Sequence, residues 1–228
     1  MKNRQNADVL PSLIELKGKK VADVGCGDGS MTRLMTRQGA KVFGVECNSQ
    51  MLERARAAKP AGDEIYYQGV AENLPFEDGR LDVVVFFNSL HHVAPAHQGV
   101  ALDQAARVLK PGGIAYVCEP VAEGAHFELM QPVHDETDVR AAAHKHIRNA
   151  EDNGLTEEKE ITYIHPATYE NFKAFADRMV AINPGLEDRL DAVRAELEQA
   201  FSTLGRKGPK GYEFDQPMRV NLLRKPAK

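Results

Sequence analysis

Three observations predict an α/β fold with a mostly parallel sheet and helices on both faces. Over about 120 residues, strand-like apolar runs alternate with helical periodicities. The run "LDVVVFFN" (81–88) is apolar almost throughout, as in a central strand buried on both faces. The first strand runs directly into the glycines of "VADVGCGDGS" (21–30), and ligands of such sheets sit beyond the carboxyl ends of the strands.

The elements follow in order. "KKVADV" (19–24) is the first strand, and residues 30–38 form a short helix ending at Gly39. "AKVFGVE" (40–46) is the second strand. "SQMLERARAAK" (49–59) is a helix begun by Asn48 or Ser49 and stopped by Pro60. "EIYYQGV" (64–70) is the third strand and 81–88 the fourth. A helix within 97–113 is closed by Pro111, Gly112 and Gly113, and "IAYVCEP" (114–120) is the fifth strand. Strand–helix–strand connections of this kind are right-handed. Beyond residue 120 the pattern changes. Residues 135–150 read as helical, with Val139, Ala143 and Ile147 four apart, and "EITYIH" (160–165) as a sixth strand. "ATYENFKAFADRMV" (167–180) is amphipathic. In "GLEDRLDAVRAELEQAFSTLG" (185–205), Leu186, Leu190, Val193, Leu197, Phe201 and Leu204 form one stripe, with Asn183 and Pro184 at its start and Gly205 at its end. "GRKGPKG" (205–211) reads as a flexible joint, and "MRVNLLRK" (218–225) as the last of seven strands. The chain thus divides into a core (1–120), a largely helical insertion (121–211) that covers a substrate or makes a dimer contact, and a returning strand (212–228).

Bulk composition narrows the function. The 228 residues carry 43% hydrophobic and 27% charged residues, ordinary for a soluble globular chain. A net charge of −4 argues against a nucleic-acid surface. Cys26, Cys47 and Cys118 are few and form no CxxC pair, which suits reduced thiols in the cytoplasm. The first residues lack the apolar core of a signal peptide, and no run reaches the length of a membrane span.

The turn "GCGDGS" is G-x-G-x-G. Ser30 stands where a dinucleotide fingerprint wants its third glycine, and no Gly-Lys-Ser/Thr follows to make a Walker loop. Glu46 ends the second strand, 21 residues after Gly25, where a carboxylate can accept hydrogen bonds from a ribose diol. Glycines and glutamate together suit an adenosine-type ligand, NAD or S-adenosylmethionine alike.

Four stretches, "VADVGCGDGS", "VFGVECNSQMLERAR", "GVAENLPFEDGRLDVVVFFNSLHHV" and "VLKPGG", come in an order that resembles the class I S-adenosylmethionine-dependent methyltransferases. The branch they resemble is the type 11 small-molecule group that includes ubiquinone and menaquinone C-methyltransferases. The resemblance covers about residues 15–120 and implies a Rossmann-like sheet with an antiparallel last strand. The cofactor-binding set it implies is Asp23, Gly25, Cys26, Gly27, Gly29, Glu46, Cys47, Met51, Val70, Ala71, Glu72 and Asn88. In this set Asp23 and the glycines line the methionine, Glu46 holds the ribose, and Met51 packs on adenine. Ala71 and Glu72 sit at the adenine edge, and Asn88 faces the amino group or backbone of the methionine. S-adenosylhomocysteine would be the product. Where relatives often carry an aspartate for the adenine amino group, this chain has Val70, so that contact passes to backbone groups of Val70 and Ala71 or to Glu72. The helical pair before the last strand is no standard part of the family.

Methyl transfer is an in-line displacement in which the protein positions an acceptor and excludes water; a base is needed only if the acceptor loses a proton. His91 and His92, just after the fourth strand, and Glu119, at the end of the fifth, are the candidates for that role or for acceptor contact. His126, His134, His144 and His146 recur further on. His144 and His146 are two apart and share no helix face, and no HxxxH pair is present, so no metal is expected. The reading is therefore a methyltransferase acting on a small-molecule oxygen or carbon acceptor. The rivals are an NAD-dependent oxidoreductase and a non-catalytic cofactor- or partner-binding module. Methylation of tRNA is disfavoured by charge, and protein methylation by the absence of an Asn-Pro-Pro-Tyr-type motif after the fourth strand.

Overall fold

A computed structural model describes residues 1–227. The strands are β1 (Lys20–Val24), β2 (Lys41–Glu46), β3 (Ile65–Gln68), β4 (Leu81–Phe87), β5 (Leu109–Pro120), β6 (Thr156–Tyr169), β7 (Arg206–Gly208) and β8 (Gly211–Arg224). They form one sheet in the order β3-β2-β1-β4-β5-β8-β6, with β7 paired antiparallel to β8. From β3 to β5 every pairing is parallel. The chain steps outward from β1 to β2 and β3, then returns to place β4 on β1's other side. That reversal puts the carboxyl ends of β1 and β4 at the switch point where such sheets bind ligands.

The helices are α1 (Asn6–Leu13), α2 (Ser30–Arg37), α3 (Ser49–Ala57), α4 (Gln98–Val108), α5 (Ala125–Met130), α6 (Thr137–Arg148), α7 (Phe172–Ile182), α8 (Glu187–Ala192) and α9 (Arg194–Leu204). None is long and apolar enough to cross a membrane. By contacts the chain divides into two compact units. One comprises Asn6–Glu119, Val139–Thr162 and Arg219–Lys228; the other comprises Met1–Gln5, Pro120–Asp138 and Tyr163–Met218. The first has a core of Ala22, Val24, Val84, Phe86, Leu102 and neighbours, and Ala143 and Ile147 of α6 pack into it. The second is built on aromatic packing. Phe201 lies with its ring centroid 4.9 Å from those of Tyr212 and Phe214, among Phe175, Leu190 and Leu197.

Several sequence expectations are corrected. The sheet has eight strands, not seven: "GRKGPKG" is no flexible joint but the β7–β8 hairpin, closed by two Arg206–Asp215 hydrogen bonds of 2.8 and 2.7 Å. A three-residue strand carries too few residues to show a period. The single helix read over 185–205 is divided. A turn over Pro184–Leu186 leads into α8, and Val193 (φ −119°, ψ 19°) breaks the path before α9. A β-branched residue is a weak helix former, and the break costs the stripe nothing: Leu186, Leu190, Leu197 and Phe201 are all buried. α1 forms with Pro11 inside it, and its Val9 and Leu10 are fully buried.

Candidate active site

The glycine turn leaves β1 at the switch point. Gly25 and Cys26 both donate their amides to the Val45 carbonyl, at 2.8 and 3.1 Å, tying the turn to β2. Gly25 has φ 73°, and a Cβ there would lie 2.5 Å from Ser89 Cβ. Ser89 itself donates its hydroxyl to the Val24 carbonyl at 2.6 Å, so the ends of β1 and β4 meet across a gap only glycine fits. Gly27 donates its amide to Glu46 Oε2 at 2.8 Å, and Met51 Cε lies 3.5 Å from where a Gly27 Cβ would stand. Gly29 begins α2 in a left-handed conformation, with Tyr66 Oη over it.

Glu46 is 8% exposed. Its Oε1 accepts from Asn48 N at 2.8 Å and from Cys47 Sγ at 3.5 Å. Asn48 in turn caps α3, accepting from Gln50 N and Met51 N at 3.0 and 3.1 Å. Asp23 is 1% exposed, and its Oδ2 accepts from Thr32 Oγ1 at 2.6 Å. Burial pushes its carboxyl up to about 6, against the Thr32 hydrogen bond and with a further push from the Glu46 charge. Burial also pushes the Cys26 thiol upward, helped by Asp23 and Glu46; Cys47 is exposed but shifted the same way, by burial and by Glu46.

Three further predicted residues follow β3. Val70 is 45% exposed and its carbonyl accepts from Asn73 N at 3.2 Å. Ala71 packs against the core, and Glu72 Oε1 lies 3.6 Å from His97 Nδ1. At the end of β4, Asn88 has φ 52°, unique among the described non-glycine residues. Its Oδ1 is buried with no hydrogen-bond partner, although its amide donates to the Cys118 carbonyl at 2.8 Å. A strained backbone carrying an orphaned acceptor is the kind of feature that a ligand satisfies.

His91 and Glu119 form a buried pair, His91 Nδ1 against Glu119 Oε2. Glu119 Oε1 also accepts from Ser89 N and Leu90 N, at 3.2 and 2.9 Å, and so caps the short turn Leu90–His92. A carboxylate on Nδ1 selects the tautomer with its proton on Nδ1 and leaves Nε2 as the basic nitrogen. His92 is exposed and its ring lies tilted by 46° against that of His91, with centroids 4.0 Å apart. Of the later histidines, His126 Nε2 is 2.8 Å from Tyr169 Oη, and His134 Nε2 is 3.0 Å from Glu136 Oε1. His144 lies 3.7 Å from Glu160. Sequence reasoning missed Thr32 and Ser89. The signal for Thr32 was Asp23 itself, since a buried carboxylate demands a donor. For Ser89 there was none, because its partners lie on another strand.

Residues 22–117 match the family described as a methyltransferase domain. An uncharacterised methyltransferase of Synechocystis sp. is 39% identical over 105 residues, 46% of this chain and 49% of that protein. A demethylmenaquinone methyltransferase of Tropheryma whipplei is 40% identical over 102 residues, 45% of this chain and 42% of that protein. The matched stretch therefore spans less than half of either relative. Among solved structures, the YcgJ protein from Bacillus subtilis shares the fold with a TM-score of 0.66 at 19% identity, covering 96% of this chain and 97% of that one.

Proposed function

We propose that this chain is an S-adenosylmethionine-dependent methyltransferase that methylates an oxygen or carbon of a small molecule. The observation that carries the reading is the Glu46 carboxylate. It ends β2, is joined to the glycine turn through Gly27 N, and has each oxygen holding one backbone donor. A carboxylate oxygen has two acceptor sites, so Oε2 keeps one for a ribose hydroxyl, and at Oε1 the second is taken by the Cys47 thiol at 3.5 Å, a weak donor that a hydroxyl displaces. The orphaned Asn88 Oδ1 supplies an acceptor for an ammonium or amide donor, and Asp23 lies behind the turn as a latent negative charge. The residues present thus fit the cofactor, with Met51 for adenine and Val70, Ala71 and Glu72 at its edge. Bound there, S-adenosylmethionine supplies an electrophilic methyl group on a sulfonium.

The chain's own part is orientation and proton handling. His91 Nε2 takes the proton of an acceptor hydroxyl or acidic carbon, and Glu119 positions the ring through Nδ1. His92 contributes an exposed polar contact beside it. Residues 121–211 determine acceptor choice and, through their helices, hold a second copy in a dimer; size-exclusion chromatography with light scattering reads that state. The three free cysteines accord with a reducing, cytoplasmic setting.

Calorimetry tests the core of the reading. S-adenosylhomocysteine should bind the wild-type chain and NAD should not, and Glu46→Ala should abolish or severely weaken that binding. A wild-type chain that binds NAD, or no S-adenosylhomocysteine, rejects it. Transfer of a labelled methyl group to phenolic, quinol and acidic-carbon acceptors then identifies the substrate class.

A further inference from the structure

The crossover from β3 to β4, residues 69–80, contains no helix. A loop lacks the internal ladder of a helix, so its backbone polar groups need partners elsewhere. Here α4 supplies them. Arg107 Nη1 donates to the Phe76 carbonyl and to Asp78 Oδ1, both at 2.8 Å, and Nη2 donates to the Leu74 carbonyl at 2.9 Å. Gln104 Oε1 accepts from Leu74 N at 3.2 Å and from Arg107 Nη2 and Nε at 2.8 and 3.2 Å. The α4 backbone closes the far end, where Gly79 N donates to the Arg107 carbonyl at 3.0 Å and Arg80 N to the Val108 carbonyl at 2.8 Å.

The start of this loop is Val70–Glu72, the adenine edge of the site proposed above. Val70 has no side-chain hydrogen-bonding group, so recognition of the base passes to the backbone amides and carbonyls of the loop and to Glu72. A backbone group selects a ligand only where the backbone is held, since the apparent affinity scales with the population of the competent conformation. We infer that Arg107 and Gln104 are positioning residues for adenine recognition: they hold the loop at Leu74, Phe76 and Asp78, and so anchor the adjoining 70–72 backbone that reads the base where a side-chain carboxylate is missing. The inference rests on the cofactor reading.

The test measures binding of S-adenosylhomocysteine and of 5′-methylthioadenosine, which keeps the adenosine but lacks the amino-acid end. Arg107→Ala and Gln104→Ala should weaken both ligands by about tenfold, the factor expected if the competent loop falls to about a tenth of molecules. Arg107→Lys should recover part of the loss, and amide hydrogen exchange over 70–76 should quicken in step. Leu190→Ala, a buried truncation in the other unit, should lower thermal stability and leave both affinities within about twofold. If Arg107→Ala does not fold, Gln104→Ala and Arg107→Lys carry the comparison. Variants that bind both ligands like wild type, or lose only S-adenosylhomocysteine, overturn the inference and leave the cofactor reading standing. A wild-type chain that binds neither ligand overturns both.

Discussion

Asp23→Asn should stabilise this protein at pH 8 and weaken its hold on the cofactor. Asp23 is 1% exposed and accepts a charge-assisted bond from Thr32 Oγ1 at 2.6 Å, with the Thr32 backbone amide also favouring the charged form. Burial lifts its carboxyl from 3.8 to about 6, the Thr32 bond opposes the lift, and the Glu46 charge adds to it. A raised carboxyl means the folded state holds the proton more tightly than the unfolded state. Its stabilising contribution is therefore complete below about pH 4 and is lost as pH rises through about 6. At about 1.4 kcal/mol per pKa unit, the ionised Asp23 costs the fold about 3 kcal/mol above pH 7. Asparagine keeps an acceptor for Thr32 and removes the charge. Allowing about 1 kcal/mol for the weaker neutral bond, the variant gains about 2 kcal/mol, or about 4–8 °C in Tm for a chain of this size. Urea unfolding of both proteins from pH 5 to 8 reads this directly. The gap should be widest at pH 8 and close toward pH 5, while S-adenosylhomocysteine binds the variant more weakly. A gap that is flat across that range, or a variant less stable at pH 8, refutes the reasoning. Retaining a charge that costs stability at the glycine turn is what a binding site does and a core does not.

Other outcomes follow from the same geometry. Gly25→Ala meets both a left-handed φ, worth about 1–2 kcal/mol, and Ser89 Cβ at 2.5 Å; urea unfolding should show a loss of about 3 kcal/mol or more. Glu46→Gln keeps an acceptor but loses the charge, and should weaken S-adenosylhomocysteine by about 10- to 100-fold in calorimetry, as expected for charged hydrogen bonds of about 1.5–3 kcal/mol. His91→Ala should lower methyl transfer by about 100-fold or more while cofactor affinity stays within about twofold; an unchanged rate removes His91 from the chemistry. Glu119→Gln should lower the rate of methyl transfer while cofactor affinity stays within about twofold, because Glu119 orients the His91 ring through Nδ1, and a rate identical to wild type assigns Glu119 to the turn alone.

What could be read from sequence was what lies close along the chain. The glycines, the Asn48 cap and the strand-end position of Glu46 are consecutive or nearly so, and each has a local physical requirement that its residue type announces. What could not be read depends on strand register. Phe87 pairs with Cys118 in the β4–β5 ladder, and that register sets Asn88 beside Glu119 and brings Glu119 to the amides of Ser89 and Leu90. Hydrophobic periodicity gives the period of each strand and says nothing of the offset between two of them. The same blindness hid the Arg107 clamp, whose partners lie 31 and 33 residues away.

Those unreadable links form one chain of hydrogen bonds across four strand ends. The Val45 carbonyl of β2 accepts from Gly25 after β1, and the Val24 carbonyl of β1 accepts from Ser89 after β4. Ser89 N donates to Glu119 of β5, and Glu119 meets His91. Val24, Val45, Ser89, Glu119 and His91 are buried and only Gly25 is exposed, so a bond left unmade among the buried members would strand a polar group. The glycine turn and the His91 imidazole are thus two ends of a single ladder. Their relative position is set by strand register, not by loop conformation. That fixed placement is what the in-line transfer proposed above would require, since there the protein contributes placement more than chemistry.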